Sequence, residues 1–158
     1  MPKELKSSSR MNAWVLDFGM GYRAAVGRRE LFHLIDVPTS YIVPCTPAYC
    51  RSVLFWQGKL LPLMDMSSRM GGTEQNAPYI AVVGYQLKRG EHPQFGAIQM
   101  TSPPSQVTVS DEQACAIPDE LRGWRELAIS CFDLNGDAVP ILNLNRIFNS
   151  APVLSSRS

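Results

Sequence analysis

Short apolar runs punctuated by glycine, proline and polar pairs dominate the chain, and long helical stripes are scarce. Trp14–Phe18 is a bulky, β-forming run that Gly19 and Gly21 close with a turn. Ala24–Val26 and Leu31–Ile35 are the next predicted strands. Ser52–Trp56 stops at Gln57-Gly58, a hairpin signal, and Lys59–Leu63 returns from it. Tyr79–Val83 has no polar face and predicts a fully buried strand, while Phe95–Met100 and Gln106–Val109 flank Pro103-Pro104. Leu127–Asp133 alternates, placing Leu127, Ile129 and Cys131 on one face and Ala128, Ser130 and Phe132 on the other. Asn135-Gly136 then marks a hairpin, because both central residues of a type I′ turn need positive φ. Helix is predicted only as about two turns each at Met64–Met70 and Leu142–Phe148 and one turn at Thr46–Tyr49. Ser110–Gln113 has capping-box form with no apolar stripe behind it, which predicts a loop or a single turn. Many short strands at close spacing mean an all-β sandwich or small barrels.

One pattern sharpens the architecture. Residues 57–70 read QGKLLPLMDMSSRM and residues 135–148 read NGDAVPILNLNRIF. At an offset of 78 positions Gly58 meets Gly136, Pro62 meets Pro140, Leu63 meets Ile141, Asp65 meets Asn143 and Met70 meets Phe148. Each unit reads as strand, tight turn, strand broken by proline, then a short helix capped by Asp65 or Asn143. Glycine, proline, cap and apolar spacing together imply two similar halves, each a small curled sheet.

The chain has 158 residues, 45% hydrophobic and 18% charged, enough for a real core. The polar ends, residues 1–10 and 150–158, are expected to be tails around a single domain at 11–149. With 15 basic and 14 acidic residues the formal charge is +1, which excludes a bulk field for nucleic acid or anionic membrane. MPKELKSSSR lacks a signal peptide's apolar core and no run is long enough for a membrane span, so a soluble, cytoplasmic protein is expected. Cys45, Cys50, Cys115 and Cys131 form no C-x-x-C pair and are joined by only two histidines, His33 and His92; reduced thiols are expected, and no metal or cofactor.

Candidate chemistry is thin. Asp133–Asp137 resembles a calcium loop, but its glycine stands fourth rather than sixth and Leu144 occupies the place of the bidentate glutamate. No motif orients Cys45 and His33 as a nucleophile and base, so no catalytic residue is expected. A nucleic-acid-binding barrel, the alternative in a different class, needs clustered cations among exposed aromatics. Only Arg28-Arg29 and Lys88-Arg89 form basic doublets, and Glu30 follows the first. Phe55 and Trp56 are neighbours on one strand and must point to opposite sides, which predicts one in the core and the other exposed or at an interface.

Thr46-Pro47-Ala48-Tyr49, then Ser52-Val53-Leu54-Phe55-Trp56-Gln57-Gly58, then Pro62-Leu63-Met64-Asp65-Met66 together resemble the first-half signature of CheW-like chemotaxis coupling proteins. Leu127–Phe148 is similar to that family's ending, and the likeness spans about Ala13 to Phe148. The resemblance implies two interlocked five-stranded SH3-like barrels with a few short helices. It also implies a non-enzymatic adaptor that joins a chemoreceptor's cytoplasmic tip to a histidine kinase's regulatory domain, in chemotaxis or in control of type IV pili. Membrane contact would then come through partners alone. The receptor is expected against Val53, Phe55, Trp56, Gln57 and Gly58, faced by Ile80 and Gly96, and the kinase against Leu31 and His33. The chain departs from the family at Ser52, Phe55 and Gln57, which replace glycine, asparagine and arginine, and at His33, which replaces a glutamate. Glutamine and neutral histidine cannot reproduce the charge-assisted contacts of arginine and glutamate.

Overall fold

Among the described residues the β-branched and aromatic runs form eleven strands, and tight turns set their register. The computed structural model describes residues 10–36, 41–42, 48–50, 52–72 and 77–149. Cys45, the Thr46-Pro47 part of the signature and both expected tails lie outside them, apart from Arg10. The strands are β1 (Arg10–Gly19), β2 (Tyr22–Gly27), β3 (Leu31–Asp36), β4 (Tyr41–Ile42), β5 (Ser52–Trp56), β6 (Lys59–Met64), β7 (Tyr79–Tyr85), β8 (Gln94–Met100), β9 (Ser105–Ser110), β10 (Ala128–Leu134) and β11 (Asp137–Leu142). The helices are α1 (Met66–Arg69) and α2 (Leu144–Asn149), and single 3₁₀ turns occupy Ala48–Cys50 and Asp111–Gln113. The second of these carries the expected capping box, with the Ser110 N–H donating to Gln113 Oε1 at 3.0 Å.

The strands make two sheets, in the orders β10-β11-β2-β1-β9 and β3-β7-β8-β6-β5-β4. The second has six strands rather than the expected five because the two-residue β4 pairs with Ser52 and Val53. The first sheet joins the two ends of the described chain and the second is built from its middle, so the barrels interlock. The chain crosses between them at the Arg28–Glu30 3₁₀ turn and returns through Thr101–Pro104. Glu30 fixes the first crossing by accepting from the Gly27 N–H at 2.7 Å; burial raises its carboxyl pKa, and that hydrogen bond opposes the rise.

The offset of 78 positions survives in three dimensions. In one hairpin Val53 pairs with Pro62 and Leu54 with Leu61; in the other Cys131 pairs with Pro140 and Phe132 with Val139. Both turns have positive φ at their two central residues, 49° and 77° at Gln57-Gly58 and 54° and 92° at Asn135-Gly136. A proline has no N–H to give to a ladder. Just past it each strand keeps its hairpin partner, Leu63 with Ser52 and Ile141 with Ser130, and also pairs in parallel on its other edge, Leu63 with Ala97 and Ile141 with Ala25. Both caps form at 3.2 Å: Asp65 Oδ1 accepts from the Ser68 N–H and Asn143 Oδ1 from the Arg146 N–H.

Strands at the centre of each sheet are buried on both faces. Alternate residues of β1, β2, β7 and β8 go to different cores. Ala13, Val15 and Ala25 join Val109, Phe132 and Val139 inside the first barrel. Ile80, Val82 and Ala97 join Leu54, Leu61 and Leu63 inside the second. Their neighbours Leu16, Phe18, Ala24, Val26, Ala81, Val83, Ile98 and Met100 meet in a third cluster between the sheets. The helix α2 completes that seam with Leu144, Ile147 and Phe148. Arg69 of α1 donates to the Ile147 carbonyl at 3.2 Å, which ties the two repeat helices together.

One expected pattern is corrected. Ile129 and Cys131 do not share a face, because a bulge lies between Ala128 and Ser130. Ile129 is exposed, and Cys131 and Phe132 are both buried.

Candidate partner-binding surface

β3 and β5 lie far apart in strand order yet meet in space, because the second sheet curls. Trp56 turns inward from β5 and packs against Phe95 of β8, ring centroids 5.1 Å apart, with the His33 ring at 6.3 Å. Phe32 meets the other side of Phe95 edge-on at 5.1 Å. It lies over Gly84, where a Cβ would come within 2.6 Å of its ring. Lys59 holds its ammonium 5.6 Å from the Phe95 centroid, a cation–π contact that caps the cluster. A bulge between Leu31 and His33 leaves Phe32 unpaired in the ladder, so strict alternation breaks along β3.

Phe55 points the other way. It is 64% exposed, touching Tyr41 edge-on at 6.2 Å. Its equivalent in the other hairpin is Asp133, also exposed. The same solvent-facing position therefore carries a carboxylate in one repeat and a phenyl ring in the other. Around Phe55 stand exposed Tyr41, Ile42 and Leu60, an apolar face beside the Gln57-Gly58 turn.

A second feature lies where the chain crosses between barrels. Leu31, Phe32, His33 and Leu34 face Trp14, Pro103 and Pro104 across a groove of about 480 Å³. Leu31 also packs on the central core, while Phe32, His33 and Leu34 are exposed. Both crossings frame this groove, so its walls come from different sheets.

The expected site residues separate accordingly. Phe55, Gln57 and Gly58 are exposed, Trp56 is half-buried under the aromatic cluster, and Leu31 and His33 border the groove. Three of the expected residues are covered within the chain. Ile80 is 1% exposed inside the second barrel, because β7 is buried on both faces. Gly96 is covered by the chain itself: a Cβ there would fall 2.4 Å from Phe148 Cε1. Val53 is 5% exposed, although alternation puts it on the same face of β5 as Phe55. Sequence reasoning passed over Phe32, Leu34, Tyr41, Leu60 and Phe95; the run Leu31-Phe32-His33-Leu34 was visible, but the bulge that exposes three of its members was not.

Among the described residues no group of three or more His, Cys, Asp or Glu side chains could hold a metal ion. The Asp133–Asp137 segment is the hairpin turn, and Asp137 pairs with Arg23 at 3.3 Å.

Residues 25–152 match the CheW-like domain family. The chain belongs to that family. A search of curated proteins finds no match. Among solved structures, the crystal structure of the scaffolding protein TtCheW from Thermoanaerobacter tengcongensis is similar with a TM-score of 0.70. The likeness covers 85% of this chain and 90% of that one at 12% sequence identity, which is a likeness of fold. The paired barrels described above are thus the CheW-like fold. Among the described residues no helix is long and apolar enough to cross a membrane.

Proposed function

We propose that this CheW-like chain is a non-enzymatic adaptor that couples a chemoreceptor's cytoplasmic tip to the regulatory domain of a histidine kinase, in chemotaxis or in control of type IV pili. The observation that carries the reading is the exposed Phe55 face, an apolar anchor on a hairpin whose repeat mate presents a charge at the same register. Receptor docking is assigned to Phe55, Gln57 and Gly58 with Tyr41 and Leu60, and kinase docking to the groove at Leu31 and His33. Gln57 and His33 lack the charges of a standard coupling protein, and each such contact is worth roughly 1.5–3 kcal/mol in good geometry. Affinity for standard partners is therefore weakened, and apolar burial by Phe55 offsets the loss toward the cognate receptor. The protein works in the cytoplasm and reaches receptor arrays through its partners.

The test is affinity capture from the native cytoplasm and solubilised membranes, with heparin retention as the control. The expected result is enrichment of one histidine kinase and one receptor, and heparin binding that is negligible at moderate salt. Salt-sensitive retention on heparin, with neither protein captured, would instead mean a nucleic-acid-binding barrel.

A further inference from the structure

The first sheet has two edges, β9 and β10, and the segment after β9 is what joins them. Ala114 makes a lone antiparallel bridge to Phe132, the Cys115 N–H donates to the Cys131 carbonyl at 3.0 Å, and Gln113 Nε2 donates to the Asp133 carbonyl at 3.1 Å. The bridge register sets Cys115 directly opposite Cys131. Their sulfurs lie 3.4 Å apart and both thiols are free. Directly opposed residues of an antiparallel pair have Cα atoms about 4.5–5.5 Å apart, inside the range a disulfide spans.

We propose that Cys115 and Cys131 form an oxidation site at which a hydroperoxide converts the dithiol to a disulfide that closes the first barrel covalently. Cys115 is half-buried and reachable, whereas Cys131 is buried but borders a cavity of about 170 Å³ between Met11, Val109 and Ile141, with room for a small peroxide. Cys115 is the more exposed sulfur of the two and so the first nucleophile, while burial, reinforced by Cys115 and Asp133, raises the pKa of the Cys131 thiol. The Cys115 thiolate attacks one peroxide oxygen, the O–O bond breaks, and the leaving hydroxide takes a proton to become water. The Cys131 sulfur then attacks the sulfenic sulfur. The S–S bond forms, the S–O bond breaks, and the hydroxyl leaves as a second water with the Cys131 proton. Two thiols are oxidised and one hydrogen peroxide is reduced.

The test uses the reduced full-length chain treated with hydrogen peroxide, followed by intact mass, non-reducing tryptic mapping and thermal melting. Arg122 and Arg125 lie between the two cysteines, so trypsin separates them unless they are bonded. The expected result is a loss of about 2 Da, reversed by dithiothreitol, with the 90–122 peptide joined to the 126–146 peptide. The Cys131→Ser variant should gain oxygen on Cys115 and form no such link. The oxidised protein should melt roughly 6–12 °C higher, since the bond closes a short loop. Oxygen adducts on Cys115 in the wild type, or its bonding to Cys45, to Cys50 or to a second chain, would overturn the site. A correct link with an unchanged melting temperature would overturn the closure.

Discussion

Replacing Phe55 by alanine separates binding from folding. A phenylalanine side chain offers roughly 200 Å² of surface. At 64% exposure, about 130 Å² of this is free for a partner and about 70 Å² is already covered in the isolated chain. At about 25 cal/mol per Å² the free portion is worth about 3 kcal/mol when a receptor covers it, or roughly 100-fold in affinity. The covered portion, which includes the contact with Tyr41, limits the cost to the fold to about 1–2 kcal/mol. Leu54 is the internal contrast: it lies fully buried beside Phe55, and Leu54→Ala should cost about 2–5 kcal/mol of stability. The assay pairs isothermal titration of the purified cognate receptor fragment and kinase domain with urea unfolding of each variant. Phe55→Ala should lose receptor affinity while its unfolding midpoint moves little, and Phe55→Asp should do the same, because the other hairpin already carries Asp133 at that register. If Phe55→Ala binds receptor and kinase within about twofold of wild type while folded, the exposed ring is not an anchor and the docking argument fails.

Three further predictions concern the fold. Gly96→Ala forces the Phe148 ring out of its place against Tyr85, and urea unfolding should show a loss of about 1–3 kcal/mol; Phe148→Leu in the same chain should recover part of it. Asp65→Ala and Asn143→Ala each remove a helix cap and should cost about 0.5–2 kcal/mol by the same method. Burial pushes the Cys50 thiol up to about 11 from an ordinary 9.0, so the folded state holds a proton the unfolded state releases. Its contribution is fully present below pH about 9 and is lost as pH rises toward 11, so stability falls over that window. Cys50→Ala should flatten that slope in a pH series of unfolding curves, and an unchanged slope would show that Cys50 does not set it.

What the chain states about itself locally, the fold repeats. Gly58, Gly136, Pro62, Pro140, Asp65 and Asn143 each answer a backbone demand: positive φ, a missing donor, an orphan N–H. Such demands are met within a few residues, so the two units could be read off the string. The partner surface was harder because exposure is decided by distant strands. Ile80 and Gly96 were expected to face a partner, but β7 and β8 are covered on both sides, and the residue over Gly96 comes from α2 at the far end of the chain. The bulges at Phe32 and Ile129 shift side chains between faces, and an alternating pattern carries no mark of them. Phe55 and Trp56 were legible as an opposed pair, and the ring of Phe95, two strands away in the pairing order and invisible to the sequence pattern, decides which of them turns inward.

Co-sedimentation tests the adaptor reading most directly. Vesicles carrying the cognate receptor are mixed with the captured histidine kinase, with and without this chain, and spun down. Kinase should appear in the pellet only when the chain is present, in proportion to the chain bound, and should return to the supernatant with Phe55→Asp. Equal kinase in the pellet without the chain, or a pellet that holds the chain but never the kinase, would contradict a coupling role.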